Sequence, residues 1–215
     1  MNRKPTYLVT AGPTREPVDP VRFISNPSSG KMGFAVAREA KRRGARVILI
    51  YGPAALVPPR VDEAVGVRTA RDMMDAVTGF IGEADVLVMA AAVCDYRPAG
   101  YSENKIKKGA GGLTLELVEN PDILTEACKV KRPCVVVGFA AESGNLLENA
   151  RVKLEKKHLD LIVANDITSP GMGFGSDYNA VAILDRDGNV ENIDRTTKEE
   201  IAVRIIDRIE SLLAG

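Results

Sequence analysis

Apolar runs and helix-periodic stretches alternate along this chain almost without interruption. Residues 7–10 form a short apolar run that predicts a buried strand, and a loop rich in Gly, Pro and Ser follows over 12–33. Residues 34–43 carry helical spacing and stop before Gly44, a residue type that ends helices by taking left-handed backbone. Residues 47–51 predict a second strand, 65–69 a weaker third, and 70–81 a helix. The run 86–93 is apolar without a break, as in a central strand covered on both faces. Over 94–112 the pattern fails; the stretch is polar, basic and glycine-bearing, and predicts a mobile loop. Leu113, Leu115 and Leu117 alternate with Thr114, Glu116 and Val118, predicting a strand with one face less buried. Asn120-Pro121 then supplies a helix start, with an amide cap and a proline at the first helical position. Residues 135–139 predict a strand, 146–157 a helix and 161–164 a strand. The runs 180–184 and 190–193 flank the turn DRDGN as a hairpin, and an amphipathic helix over 198–213 closes the chain.

Strands alternating with helices predict an α/β fold, with a mostly parallel sheet covered on both faces. With no internal repeat and no clear linker, residues 1–215 are expected to form a single domain. Open sheets of this kind bind ligands at the carboxyl ends of their strands. That rule singles out the loops after Thr10, Val93, Phe139 and Ala164.

Composition narrows the picture. Lys plus Arg number 29 and Asp plus Glu 29, so no bulk positive charge is available for nucleic acid, and none is expected as a partner. No apolar run approaches the roughly 18 residues of a membrane span, and the start MNRKPTYLVTAG lacks the apolar core and cleavage site of a signal peptide. The 3 cysteines, Cys94, Cys128 and Cys134, have no zinc spacing and suit reduced thiols. The expectation is a cytoplasmic protein with no membrane association. His158, the sole histidine, follows a lysine run and reads as surface, which argues against a catalytic triad or a histidine metal site.

Four clusters could carry chemistry, and each has a bland reading. Residues 25–33, SNPSSGKMG, precede a helix and could present backbone N–H groups to an anion; they could equally be a capped irregular loop. A Walker loop fails there, with Ser25 in place of the first glycine and Met32 where Ser or Thr should follow Lys31. In AAAVCDYRP, the alanines at 90–92 leave room for a flat ligand; Asp95 could hold a phosphate-bound Mg²⁺ or merely make a turn. Lys105, Lys107 and Lys108 could be a solvated run or a lid over polyphosphate. Lys153 and Lys157 share one helix face, as surface lysines commonly do. The run Gly171-Met172-Gly173-Phe174-Gly175 departs from a dinucleotide fingerprint, with Ser176 at the third glycine position.

The order of the motifs says more than any one of them. VTAGPTREPVDPVRFISNPSSGKMG, AAAVCDYRP, ENKIKK, ENPDIL, VGFAAE, ARVKLEKKHLDLIVAND and GFGSDYN, in sequence over about residues 8–185, resemble the successive motifs of bacterial phosphopantothenoylcysteine synthetases. The resemblance implies a modified Rossmann-like three-layer sandwich with a mostly parallel sheet and a small β dimerisation subdomain, and hence a homodimer. Residues 15–24 and 113–118 are the candidates for that interface. It also implies a ligase that uses CTP and Mg²⁺ to turn the carboxylate of 4′-phosphopantothenate into an acyl-cytidylate, which the amine of L-cysteine attacks.

On the same resemblance, Asn26 handles the acyl-cytidylate and Lys105 serves activation. Asp95 belongs to the nucleotide and metal site. Met89, Ala90 and Ala91, then Pro121, Asp122, Ile123 and Leu124, then Phe139, match nucleotide contacts. Lys153 and Lys157 match triphosphate lysines, and Arg22 a holder of the substrate phosphate. Bacterial relatives often carry an N-terminal flavin-dependent decarboxylase that acts on the product. This sequence begins at the synthetase strand, leaving a stand-alone enzyme and a piece of a bifunctional protein both open. Three alternatives stand beside this reading: the same ligase using ATP, a Rossmann-like NAD(P)-binding oxidoreductase, and a non-catalytic nucleotide-binding module. The oxidoreductase predicts an acidic residue after the second strand, where Gly52-Pro53 stand.

Overall fold

The computed structural model describes residues 3–109, 111–142, 144–166 and 175–214. In chain order, the first half holds β1 (Thr6–Ala11), β2 (Arg15–Pro17), β3 (Phe23–Ser25), α1 (Lys31–Arg42), β4 (Arg46–Tyr51), β5 (Glu63–Gly66), α2 (Ala70–Phe80) and β6 (Val86–Met89). The second half holds β7 (Tyr96–Pro98), β8 (Leu117–Glu119), α3 (Ile123–Val130), β9 (Val135–Glu142), α4 (Leu146–Lys156), β10 (Leu161–Asp166), β11 (Tyr178–Asp185), β12 (Val190–Thr197) and α5 (Lys198–Ala214).

Eight strands form one sheet in the order β12-β11-β10-β9-β6-β1-β4-β5. From β5 to β10 every pairing is parallel, and β11 and β12 add an antiparallel hairpin at the edge. Counted among themselves, the six parallel strands run 3-2-1-4-5-6, the doubly wound Rossmann order. Their direction of progress reverses between β1 and β6, so the crevice at the carboxyl ends of those two strands is where this topology places a ligand.

Period-two alternation sorts the core into two layers. Tyr7, Val9, Val47 and Leu49 face α1 and α5, while Leu8, Ile48 and Ile50 face α2, α3 and α4. All seven are almost fully buried, which is why these strands read as continuous apolar runs. Small residues let α1 approach the sheet closely. A Cβ added at Gly33 would stand 2.6 Å from Ala11 Cβ and 2.8 Å from the Thr10 carbonyl oxygen. That contact fixes the start of α1 against the end of β1, beside the crevice.

Several expectations shift on contact with the structure. The strand expected over 86–93 stops at Met89. Beyond it the Ala91 amide donates to Thr10 Oγ1 at 3.1 Å and the Ala92 amide to Gly12 O at 2.9 Å, so the chain bends across the end of β1. Asn120 does not cap α3; Asp122 does, accepting from the Thr125 amide at 3.3 Å. Asn120 instead donates its amide to Cys94 O at 2.8 Å. Of the alternating leucines only Leu117 lies in a strand, and all three are exposed. The expected loop 94–112 contains β7, which pairs with β8, and it is tied to the β2–β3 turn through Ser102 N to Val18 O and Ile106 N to Asp19 Oδ2, both 3.0 Å. The expected loop 12–33 likewise contains the short β2–β3 hairpin, and α1 begins at Lys31, not at residue 34.

Candidate functional site

A cleft of about 910 Å³ opens at the crevice where the strand order reverses. One wall is the segment Asn26 to Gly33 leading into α1, and the floor is Met89 to Val93 beyond β6. The opposite wall combines the start of α3 with Phe139 on β9 and Lys153 and Lys157 on and just beyond α4.

Asn26 is held by the floor it faces. Its Nδ2 donates to Ala92 O at 3.2 Å and to Val93 O at 3.1 Å, which leaves the amide oxygen as the part able to accept. The bend after β6 creates this arrangement, because it turns those carbonyls toward residue 26. Asn26 also borders a second hollow of about 360 Å³, with Arg15, Phe23 and Leu56 on its far side. The Arg15 guanidinium lies 4.5 Å over the Phe23 ring there.

The nucleotide residues expected from the motifs line the cleft together: Met89, Ala90 and Ala91; Pro121, Asp122, Ile123 and Leu124; Phe139; Lys153 and Lys157. Lys153 Nζ donates to Phe139 O at 2.8 Å. Lys157 pairs with Asp122, the cap of α3. Burial works to raise the Asp122 pKa, but the hydrogen bonds from Lys157 and Thr125 outweigh it and hold the carboxyl below its usual range. Asp95 is exposed and lines the same cleft, and its backbone carbonyl accepts from the Asn120 amide at 2.7 Å.

Two expected residues are not brought into the cleft. Lys105 is exposed on the segment after β7 and does not line it. Arg22 pairs with the fully buried Asp19 carboxylate and donates to Ile106 O at 2.7 Å, so its guanidinium is committed to holding the 99–116 segment to the β2–β3 turn. The Arg22 hydrogen bond, helped by backbone amides and opposed by burial, pushes the Asp19 carboxyl far down. The physical reason for the departure is the Asp19 carboxylate three residues away, which outcompetes solvent for Arg22. The glycine run at 171–174 lies outside the described residues.

As a Mg²⁺ site the donor set is sparse. Among the described residues no three His, Cys, Asp or Glu side chains converge. Mg²⁺ is commonly held by one or two carboxylates, with water and substrate phosphates completing its shell. Asp95 at the cleft offers one such carboxylate.

Sequence reasoning missed Lys198, which is 5% exposed at the start of α5 and lines the cleft. The available signal was its position, since a lysine in the first turn opposes the helix dipole. It also missed Asn165 and Asn179, which line the cleft from β10 and β11.

The chain matches the family described as "DNA/pantothenate metabolism flavoprotein C-terminal domain" over residues 3–213. It is 45% identical over 206 residues to the coenzyme A biosynthesis bifunctional protein CoaBC of Bacillus subtilis, covering 95% of this chain and 51% of that protein. It is 48% identical over 208 residues to the CoaBC of Escherichia coli, covering 94% of this chain and 50% of that protein. The chain thus spans about half the length of these curated relatives. A crystal structure of the C-terminal domain of a CoaBC protein superposes with a TM-score of 0.83 at 40% identity, covering 98% of this chain and 96% of that one. Family match, strand order and cleft agree, and the chain belongs to the DNA/pantothenate metabolism flavoprotein C-terminal domain family.

Proposed function

We propose that this domain joins 4′-phosphopantothenate to L-cysteine at the expense of CTP. The observation that carries the proposal is the cleft at the crevice between β1 and β6, which Asn26, Lys153 and Lys157 line together with residues 89–93. In the first step a carboxylate oxygen attacks the α-phosphorus of CTP and pyrophosphate departs. In the second the cysteine amine attacks the acyl carbon, CMP departs and the nitrogen loses a proton.

Lys153 and Lys157 supply positive charge where the nucleotide phosphates lie, and in this reading Lys157 exchanges Asp122 for phosphate oxygens. Asp95, together with the phosphates, would hold Mg²⁺, and the ion would supply charge neutralisation to the nucleotide. Small residues 90–92 let the base reach backbone donors and acceptors, and a backbone carbonyl can choose cytosine's exocyclic amine over the uracil carbonyl. Asn26 accepts through Oδ1, orienting the acyl group and the incoming amine while adding no charge. Lys105 acts after the 99–116 segment folds over the cleft, placing its ammonium against the attacked phosphate.

Exposed Val21 and Phe23 on the β2–β3 hairpin and Leu113, Leu115 and Leu117 before and in β8 form the apolar face through which two copies associate. A flavin-dependent decarboxylase acting on the product is the expected functional partner. The alternative that the nucleotide is ATP is separated by assay, because pocket shape alone does not set the base. A dinucleotide-binding oxidoreductase is disfavoured because the second parallel strand, β4, is followed by Gly52-Pro53 and not by an acidic residue.

The test is pyrophosphate release followed with CTP, phosphopantothenate and cysteine, each omitted in turn. Sustained release should require all three. Release indifferent to phosphopantothenate and cysteine would sink the ligase reading.

A further inference from the structure

Residues 26–29 line both the main cleft and the second hollow of about 360 Å³, so this short segment is the partition between them. The hollow exists because two loops cross closely. The Gly52 amide, just after β4, donates to Ala11 O at 2.9 Å. A Cβ on Gly52 would stand 1.7 Å from Pro13 O, so only glycine lets the loop after β4 lie against the loop after β1. That crossing brings Pro53, Ala55 and Leu56 around one hollow with Arg15 and Phe23. The Arg15 amide donates to Arg68 O at 2.8 Å, which pins the start of β2 beside them.

The hollow holds one cation and, among the described residues, no acidic side chain lines it. Arg15 is half-buried, its guanidinium stacked 4.5 Å over the Phe23 ring. Stacking engages the flat face of a guanidinium and leaves the N–H donors around its edge able to bond. The carboxylates closest in sequence are committed elsewhere: Glu16 Oε1 accepts from the Ala70 amide at 2.9 Å, and Asp19 pairs with Arg22. The remaining polar groups of the lining are neutral, the hydroxyls of Ser25, Ser28 and Ser29 and the amide of Asn26. A half-buried guanidinium in such a setting matches a ligand that brings its own small anion.

We propose that this hollow is the amino-acid subsite, in which Arg15 holds the α-carboxylate of cysteine and the partition at Asn26 receives its amine. The planar guanidinium fork matches a carboxylate with two parallel hydrogen bonds. Pro53, Ala55 and Leu56 give the thiol, a weak hydrogen-bonding group, an apolar wall. At about 360 Å³ the hollow sits near the low end of the roughly 300–1,000 Å³ usual for small-molecule sites, in keeping with a small ligand. The nucleotidyl intermediate fills the main cleft, so the amine needs an approach of its own, and the hollow meets that cleft at Asn26. The inference rests on the ligase reading of the main cleft.

Ligation kinetics with cysteine and with cysteamine, which keeps the thiol and amine but lacks the carboxylate, test it on the whole chain and on Arg15→Met, a variant that keeps an apolar stem over Phe23. The parent chain should prefer cysteine in kcat/KM. In Arg15→Met the KM for cysteine should rise roughly 10-fold or more, the loss of a charge-assisted pair, with cysteamine and phosphopantothenate unaffected. An unchanged KM for cysteine, or equal losses for cysteine and cysteamine, would overturn the subsite. A rise confined to phosphopantothenate would assign Arg15 to the substrate phosphate and overturn it as well. If circular dichroism shows Arg15→Met unfolded, Arg15→Lys decides the matter, because it keeps the charge without the fork: weaker use of cysteine alone supports the subsite and unaltered use overturns it. Failure of the ligase reading shows differently, as no amide product from either nucleophile in the parent chain, whereas an active parent chain with no preference for cysteine counts against the subsite alone.

Discussion

Replacing Gly33 by alanine separates helix propensity from packing in a way the structure quantifies. On propensity alone the change should help, since alanine exceeds glycine by about 1 kcal/mol inside a helix. Packing says otherwise. The new Cβ would stand 2.6 Å from Ala11 Cβ, 2.8 Å from Thr10 O and 3.0 Å from Ala11 Cα. Two of those three atoms are backbone of β1, a strand paired on both sides by β4 and β6, so the sheet has little freedom to yield. The helix must move instead, and overpacking of this kind costs about 1–3 kcal/mol, here taken at its upper end because backbone is struck. The net expectation is a loss of about 2 kcal/mol, which for a chain of this size lowers Tm by roughly 4–8 °C. Thermal unfolding followed at 222 nm reports the loss. A Gly33→Ala protein as stable as its parent would refute the packing argument.

Three further outcomes follow from the site and its supports. Asn26→Asp would set an anionic oxygen about 3 Å from the carbonyls of Ala92 and Val93, replacing two donated bonds by repulsion; transfer to cysteine should slow by roughly 100-fold or more, at about 1.4 kcal/mol per factor of 10, while activation persists and the acyl-cytidylate accumulates, and normal turnover removes Asn26 from the mechanism. Lys105→Gln should abolish rapid formation of that intermediate without lowering Tm, since its side chain is exposed; a normal pyrophosphate burst would dismiss the closing segment. Glu39, held first by the Arg42 hydrogen bond against burial and then by Arg43, has its pKa lowered from 4.5 to about 2. Its contribution is therefore intact above pH 4.5 and lost as pH falls toward 2; unscreened, the shift amounts to about 3 kcal/mol, and the exposure of Arg42 cuts this to about 1 kcal/mol. A Glu39→Gln variant whose stability falls as steeply as the parent's between pH 4.5 and 2 would contradict that account.

The strands were legible where burial on both faces forces a run of apolar side chains, as in 7–10, 47–51 and 135–139. Strand ends were less legible, because Ala90 to Val93 stay apolar while their amides leave the ladder for Thr10 Oγ1 and Gly12 O. No local pattern announces which acceptor an amide will find 80 residues away. The cap of α3 shows the same limit: both Asn120 and Asp122 can cap, and Asn120 was drawn off by Cys94 O and Arg97. The motif resemblance named Lys153 and Lys157, which periodicity alone would leave as surface lysines. The pairing of Arg22 with Asp19 was not legible, because it depends on the closure of the β2–β3 turn. Lys198 was overlooked because its burial arises from α5 meeting α1 and β11, a packing that helix periodicity does not reveal.

The central claim is a two-step ligation through a nucleotidyl intermediate, and a single-turnover reaction tests it most directly. The protein is mixed with CTP, Mg²⁺ and phosphopantothenate in the absence of cysteine, quenched, and the products identified by mass. The account predicts phosphopantothenoyl-cytidylate and pyrophosphate, with the adduct discharged to phosphopantothenoylcysteine and CMP when cysteine is added. Formation of CDP and an acyl phosphate, or the same adduct chemistry proceeding faster with ATP than with CTP, would contradict it.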